Sequence, residues 1–286
     1  MLAEVAQLGE GVVLAGFHLR RVARDALRLR KPCAAGLCRN KPARRQCSMV
    51  PLHIQLTTSP LRKVLKRLHY PLEIMLVCVR WYAAYPLSLR NLEEMMAERG
   101  VLVDHATVHR WALKVLPVLA AVFRGRKRPV GSSWRVDETY IRVGGQWKYL
   151  YRAVDRLGQT VDFLLTAHRD VAAARRFFER AIDRHDVPEK ITIDKSGANT
   201  AAVHGLVADS GAAIELRQSK YLNNLIEQDH RAIKRIVRPM LGFKDFDCAR
   251  KLIAGIETMH MVKKGQLDCP KGEVLSAADQ FYSLAF

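Results

Sequence analysis

The sequence predicts an α/β fold preceded by a helical block, and three observations carry that expectation. Apolar residues recur with helical spacing up to about residue 123. From Trp134 onward the period changes to two, the spacing of half-buried strands. Between the two regimes lies Phe123-Arg124-Gly125-Arg126-Lys127-Arg128-Pro129-Val130-Gly131-Ser132-Ser133, rich in the residues that break regular structure.

The helical block spans 61–123. Pro71 stands at a helix start and precedes Leu72, Ile74, Met75, Val77, Cys78 and Trp81; Pro86 ends that helix. Ser88 caps a second helix with Leu89, Leu92, Met95 and Met96 inward, ending at Gly100. Asp104 caps a third, whose buried face is Val108, Trp111, Ala112 and Val115. Two short helices joined by a tight Gly-containing connection, the second basic at its start, suggest a helix-turn-helix. An ordinary three-helix packing unit would show the same pattern. In the helix-turn-helix reading, His105, Thr107, His109, Arg110 and Lys114 face DNA. His105 and His109 are i,i+4 neighbours, but with no evident third ligand they read as phosphate-contacting groups rather than a metal site.

Residues 124–133 form a basic linker suited to a phosphate backbone. Trp134 to Val143 is a strand, Gly144-Gly145 a hairpin turn, and Trp147 to Val154 pairs back. Asp155 to Gly158 turns again into a third strand, Thr160 to Thr166. Val171 to Arg184 is a helix, Ile191 to Ile193 a short strand, Asn199 to Ala208 a helix and Ile214 to Leu216 a fifth strand. Lys220 to Arg235 is the next helix, with Leu225, Ile226, Ile233 and Ile236 as its apolar seam and Asn223 or Asn224 as its cap. Phe246 to Lys264 supplies a last helix. The order β-β-β-α-β-α-β-α is the ribonuclease-H-like arrangement, assigned here to 134–245, with 246–286 as a C-terminal helix and tail.

Composition narrows the partner. Of 286 residues, 49% are hydrophobic, ample for a packed core, and the net charge is +19 with a pI near 10.0. Such a field attracts polyanions. Residues 1–60 hold ten Lys/Arg against three Asp/Glu, which leaves 37 against 25 for the remainder, so the body is basic too. That segment reads as an atypical, poorly ordered basic extension, with a basic amphipathic stretch at 19–30 and Met49 as an internal candidate start. No apolar run approaches the roughly 20 residues of a membrane span. The cysteines at 33, 38, 47, 78, 248 and 269 fit no common zinc spacing and read as free thiols of a reducing cytoplasm.

In the expected topology the first strand's middle and the fourth strand's end are neighbours, which brings Asp137 near Asp194, while the later helix brings in Glu227. Phosphodiester chemistry uses such a cluster to hold two divalent ions that activate the attacking oxygen and stabilise the leaving one. Each acid also has a plain structural role open to it. Glu138 points to the opposite strand face, Asp155 is more simply a turn residue, and Asp194 could cap the turn at Ser196 and Gly197. Asp229 lies about 200° round the helix from Glu227, so both cannot face the same metals. Glu227 and Arg231 could be a surface ion pair.

The stretches Trp134-Arg135-Val136-Asp137-Glu138-Thr139-Tyr140, Trp147-Lys148-Tyr149-Leu150-Tyr151-Arg152-Ala153-Val154-Asp155, Ile193-Asp194-Lys195 and Tyr221-Leu222-Asn223-Asn224-Leu225-Ile226-Glu227-Gln228-Asp229-His230 resemble the DDE transposases of bacterial insertion sequences, within them the insertion-sequence-six family. The upstream Val79-Arg80-Trp81-Tyr82, Leu87-Ser88-Leu89-Arg90, Met95-Met96-Ala97-Glu98-Arg99-Gly100 and Val103-Asp104-His105 fit as well. The resemblance runs from about Pro71 to Leu267. It implies a helix-turn-helix that binds terminal inverted repeats, and a catalytic core with Asp137, Asp194 and Glu227 as metal ligands. It also implies Mg²⁺, or Mn²⁺ in its place, cleavage that exposes 3′-ends, and strand transfer into target DNA by a replicative, cointegrate-forming route. Lys234, with Arg231 and Arg235, would contact DNA, and the enzyme would act as a homo-oligomer on double-stranded DNA in the bacterial cytoplasm, associated with nucleoid or plasmid. One departure stands out: the interval from Asp194 to Glu227 is slightly shorter than is usual in the family.

Overall fold

A computed structural model describes residues 59–65, 69–194, 196–219, 224–269 and 275–286. The expected basic extension, with Cys33, Cys38 and Cys47, falls outside the described residues apart from its last two positions, as do Lys195 and the Asn223 cap.

The three expected helices are α1 (Leu72–Ala84), α2 (Leu89–Ala97) and α3 (His105–Gly125). Ser88 caps α2 through a reciprocal box in which Asn91 N donates to the Ser88 hydroxyl at 3.1 Å and Ser88 N to Asn91 Oδ1 at 3.0 Å. The Asp104 carboxylate caps α3 by accepting from the Ala106 and Thr107 amides at 3.0 and 3.2 Å. α3 runs further than its apolar pattern suggested, through Pro117 to Gly125, and takes up the first two residues of the expected linker. Among the described residues it is the one helix long and apolar enough, by length and composition, to cross a membrane, which corrects the expectation that no such run exists. Here its apolar face, with Val108, Ala112, Val115 and Leu119, is buried in the core.

The sheet follows. β1 (Ser133–Val143), β2 (Gln146–Asp155) and β3 (Thr160–Thr166) form an antiparallel meander. α4 (Val171–His185) leads to β4 (Lys190–Ile193), α5 (Gly197–Ser210) to β5 (Glu215–Gln218), then come α6 (Asn224–Val237), α7 (Phe246–Lys263) and α8 (Ala277–Ser283). The spatial order is β3-β2-β1-β4-β5, with β4 and β5 parallel to β1. This is the ribonuclease-H-like sheet expected from the element order. α8 was not foreseen, being short and without a full apolar repeat. Asn224 lies inside α6 rather than ahead of it.

Two apolar clusters hold the layers. On one face Trp134, Val136, Tyr151, Ala153, Ile191 and Ile193 pack against Phe177 and Phe178 of α4 and Ala202 and Val203 of α5. On the other, Ile141, Val143, Leu150 and Leu165 share a core with α1, α2, α3, α6 and α7. Each large side chain buried there contributes about 1.5–3 kcal/mol of transfer free energy. Where α7 crosses α3, a Cβ on Gly255 would stand 2.5 Å from Leu116, so only glycine permits that approach. Among the described cysteines Cys78, Cys248 and Cys269 are free thiols, and burial pushes Cys78 up to about 11.

Candidate active site

β1 alternates strictly, so Trp134, Val136 and Glu138 turn toward α4 and α5, and Asp137 turns the other way with Ile141 and Val143. β1 and β4 run parallel in the register Ser133↔Lys190, Trp134↔Ile191, Arg135↔Thr192. Two residues beyond the last pair stand Asp137 and Asp194. Ile191 and Ile193 share the Trp134 face, which leaves Asp194 on the face of Asp137. Burial, then the charge of Glu138 and, less, that of Asp194, push the Asp137 carboxyl up to about 7. Asp194 Oδ1 also accepts from Ser196 N at 3.0 Å, the turn-capping bond that its position suggested.

Glu138 lies on the opposite face, as strand alternation required. It pairs with Arg169 and accepts from Asn199 Nδ2 at 3.0 Å. Asp155 is a turn residue: its carboxylate accepts from the Leu157, Gln159 and Gly131 amides at 2.9, 2.8 and 3.0 Å.

α6 presents two sides. Glu227 is exposed and accepts from Arg231 Nη2 at 3.3 Å, the surface pair its spacing allowed, and Lys234 and Arg235 are exposed as well. Asp229 and His230 are buried. Asp229 Oδ2 accepts from Arg152 Nη1 at 3.1 Å and Lys264 Nζ at 2.5 Å, and His260 lies 3.1 Å from Oδ1. Burial alone would raise its carboxyl; the contact with His260 and the charges of Arg152 and Lys264 outweigh that and hold it well below the usual range. Arg152 is fully buried and also pairs with the fully buried Glu257 of α7. His230 Nδ1 lies 3.8 Å from Asp137 Oδ2; burial, then Arg152 and Lys234, push the imidazole down to about 3, so it is neutral.

Asp137, Asp194 and Glu227 do not all offer ligand atoms within 4.8 Å of one another. Among the described residues the group that does is Glu93, Asp104 and His105, because His105 Nδ1 sits 3.0 Å from each acid. Sequence reasoning missed that cluster, since Glu93 belongs to the preceding helix. Thr107 accepts from Arg110 Nη2 at 2.8 Å, His109 is half-buried with its pKa lowered by burial and by Lys244, and Arg110 and Lys114 are exposed.

A hard divalent cation fits the acidic pair. Asp137 and Asp194 offer only oxygen, and while burial contributes most to the raised proton affinity of Asp137, the charges of Glu138 and Asp194 add to it, a repulsion that a cation would offset.

Residues 131–266 match a family model described as a DDE domain. The transposase for insertion sequence-like element IS431mec of Staphylococcus aureus is 37% identical over 197 residues, covering 67% of this chain and 85% of that protein. The transposase for insertion sequence element IS257 in transposon Tn4003, also from Staphylococcus aureus, is 36% identical with the same coverage. Among solved structures, the catalytic core domain of BIV integrase aligns with a TM-score of 0.37 at 15% identity, over 54% of this chain and 93% of that one. The HTLV-2 integrase catalytic core domain in complex with magnesium aligns with a TM-score of 0.33 at 16% identity, over 56% and 86%.

Proposed function

This chain belongs to the DDE transposases of the insertion-sequence-six family, and from that membership we propose that it cuts the ends of its element and joins them to target DNA at a centre built from Asp137, Asp194 and Glu227. The observation that carries the reading is that Asp137 and Asp194 stand two residues beyond the last pair of the parallel strands β1 and β4, close enough for the Asp194 charge to act on Asp137.

Asp137 and Asp194 would hold Mg²⁺, or Mn²⁺ in its place, with Glu227 as a further ligand. Bound there, divalent ions activate the attacking oxygen and stabilise the leaving one. Cleavage is attack by water on a phosphodiester at the element's end, which breaks the P–O3′ bond and leaves a 3′-hydroxyl. Joining is attack by that hydroxyl on a target phosphodiester, which forms one P–O bond as another breaks. For Glu227 to reach the ions it must exchange Arg231 for metal, and that frees the guanidinium for phosphate. Lys234 and Arg235, exposed on the same helix, would extend the phosphate track.

Residues 61–123 would act as the inverted-repeat reader, with the start of α3 in the major groove. His105, Thr107, His109, Arg110 and Lys114 are the contacts proposed there, and residues 124–133 would follow the backbone toward the core at 134–245. The family further supports a replicative, cointegrate-forming route, a homo-oligomer on DNA, and work in the bacterial cytoplasm at nucleoid or plasmid DNA.

Two rivals share these features: a hydrolase that cuts without joining, and a DNA-binding regulator without activity. Labelled inverted-repeat DNA incubated with the protein and Mg²⁺ or Mn²⁺ separates them. Joined products support transposition. Cleaved ends alone would favour the hydrolase, and binding with neither product would favour the regulator.

A further inference from the structure

We propose that the outer end of the β1–β2 hairpin is a stacking platform for unpaired nucleobases of the DNA on which this enzyme acts. The inference rests on the transposase reading and adds a site for bases to the phosphate contacts on α6.

The antiparallel register sets Tyr140 opposite Tyr149 and Arg142 opposite Trp147, and strand alternation turns all four to one face. The two tyrosine rings lie 5.3 Å apart, tilted by 57°. Tyr149 packs partly against the α4–α5 core, but the hairpin continues past it, leaving Tyr140 45% and Trp147 63% exposed. The end of α6 and the loop that runs alongside β1 share the lining with them, through Lys234, Arg238 and Leu241, the last 90% exposed. The loop is pinned to the hairpin: Phe243 N donates to Arg142 O at 3.0 Å, and Gly144 N donates to Phe243 O at 2.8 Å. Gly242 suits the approach, with φ +94 in the region that favours glycine and a Cβ that would stand a tight 3.1 Å from Arg142 O. Between the walls is a cavity of about 850 Å³.

Its chemistry selects the occupant. Three aromatic rings and three cations, Arg142, Lys234 and Arg238, line it, and among the described residues no carboxylate does. A flat apolar group carrying phosphate fits both halves of that lining, and a nucleotide is such a group. A second copy of this chain fits poorly, since a symmetric contact would set these cations against their own counterparts. Paired bases within a duplex keep both faces stacked, so the platform takes unpaired or terminal ones. Tyr140 is three residues along β1 from Asp137, about 10 Å, and turns to the opposite face of the strand, so the platform lies beside the acids rather than over them. Lys234 is seven residues along α6 from Glu227, also about 10 Å.

The test compares full-length wild type with Trp147→Ala and Trp147→Phe, using a single-stranded oligodeoxynucleotide containing 2-aminopurine and the fully paired duplex of the same sequence. Trp147→Ala should weaken single-strand binding about tenfold and lose the 2-aminopurine quench, change duplex affinity less than about twofold, and be largely rescued in Trp147→Phe. Since the indole is exposed, the thermal melt should not move. Equal losses on both DNAs, or no loss on either, would overturn the platform. Dissociation of a wild-type dimer by Trp147→Ala with single-strand affinity intact would also overturn it, in favour of a contact between copies. Failure of the transposase reading is separate, because wild type itself would then yield no joined product.

Discussion

Arg152 and Asp229 lie 77 residues apart in the chain and 3.1 Å apart in the fold. Their contact locks β2 to α6, and Glu257 on the other side of the guanidinium extends the lock to α7. Because Asp229 is about 200° round the helix from Glu227, anchoring one carboxylate inward turns the other outward. The buried ion network therefore sets which side of α6 faces the acids of the sheet.

Asp229→Asn should destabilise the protein by about 3–5 kcal/mol, because Arg152 and Lys264 lose a buried counter-charge. Denaturant unfolding measures the loss. A change within about 0.5 kcal/mol would mean that Glu257 alone satisfies Arg152.

At the α3–α7 crossing, Gly255→Ala places a methyl group against Leu116 and should cost about 1–3 kcal/mol. The same melt reads it, and Leu116→Ala in the same chain should recover part of the loss by making room.

Acid sensitivity should come partly from His185. Burial, then Lys127 and Arg184, push its pKa down from 6.5 to about 4. Between those values the unfolded chain binds the proton and the folded one does not, so stability is complete above about pH 6.5 and falls as pH drops toward 4. The His185→Gln variant should show a flatter dependence of Tm on pH across that window.

Lys234→Ala should weaken binding to inverted-repeat and unrelated duplexes alike, and reduce the slope of log K against log salt by about one. An effect confined to the repeat would make Lys234 a base-reading residue instead.

Much of the sheet was legible because its signals are local. Period-two alternation set the faces of Asp137 and Glu138, whereas the expectation of β4 beside β1 leaned on the family resemblance, because strand order is not a local signal. The ends of α3 and the existence of α8 were less legible, since tertiary packing decides how far such helices run. The Arg152–Asp229–Glu257 network was missed because partners 77 and 105 residues apart carry no periodic trace. A signal was nevertheless present: Arg152 interrupts the run Tyr151-Arg152-Ala153-Val154, and Glu257 interrupts the apolar face of α7. Opposite charges stranded in two apolar runs imply each other. Glu227 shows the converse. Its i,i+4 pair with Arg231 is as the spacing allowed, and its proposed part as a metal ligand comes from family and topology, not from the helix.

The central claim is that Asp137, Asp194 and Glu227 form one metal-dependent centre for DNA cleavage and joining. The most direct measurement is the yield of joined product from labelled inverted-repeat DNA and Mg²⁺ with the Asp194→Ala protein, whose DNA affinity should remain near wild type. The account predicts joining at background level. Joining at the wild-type rate would contradict it.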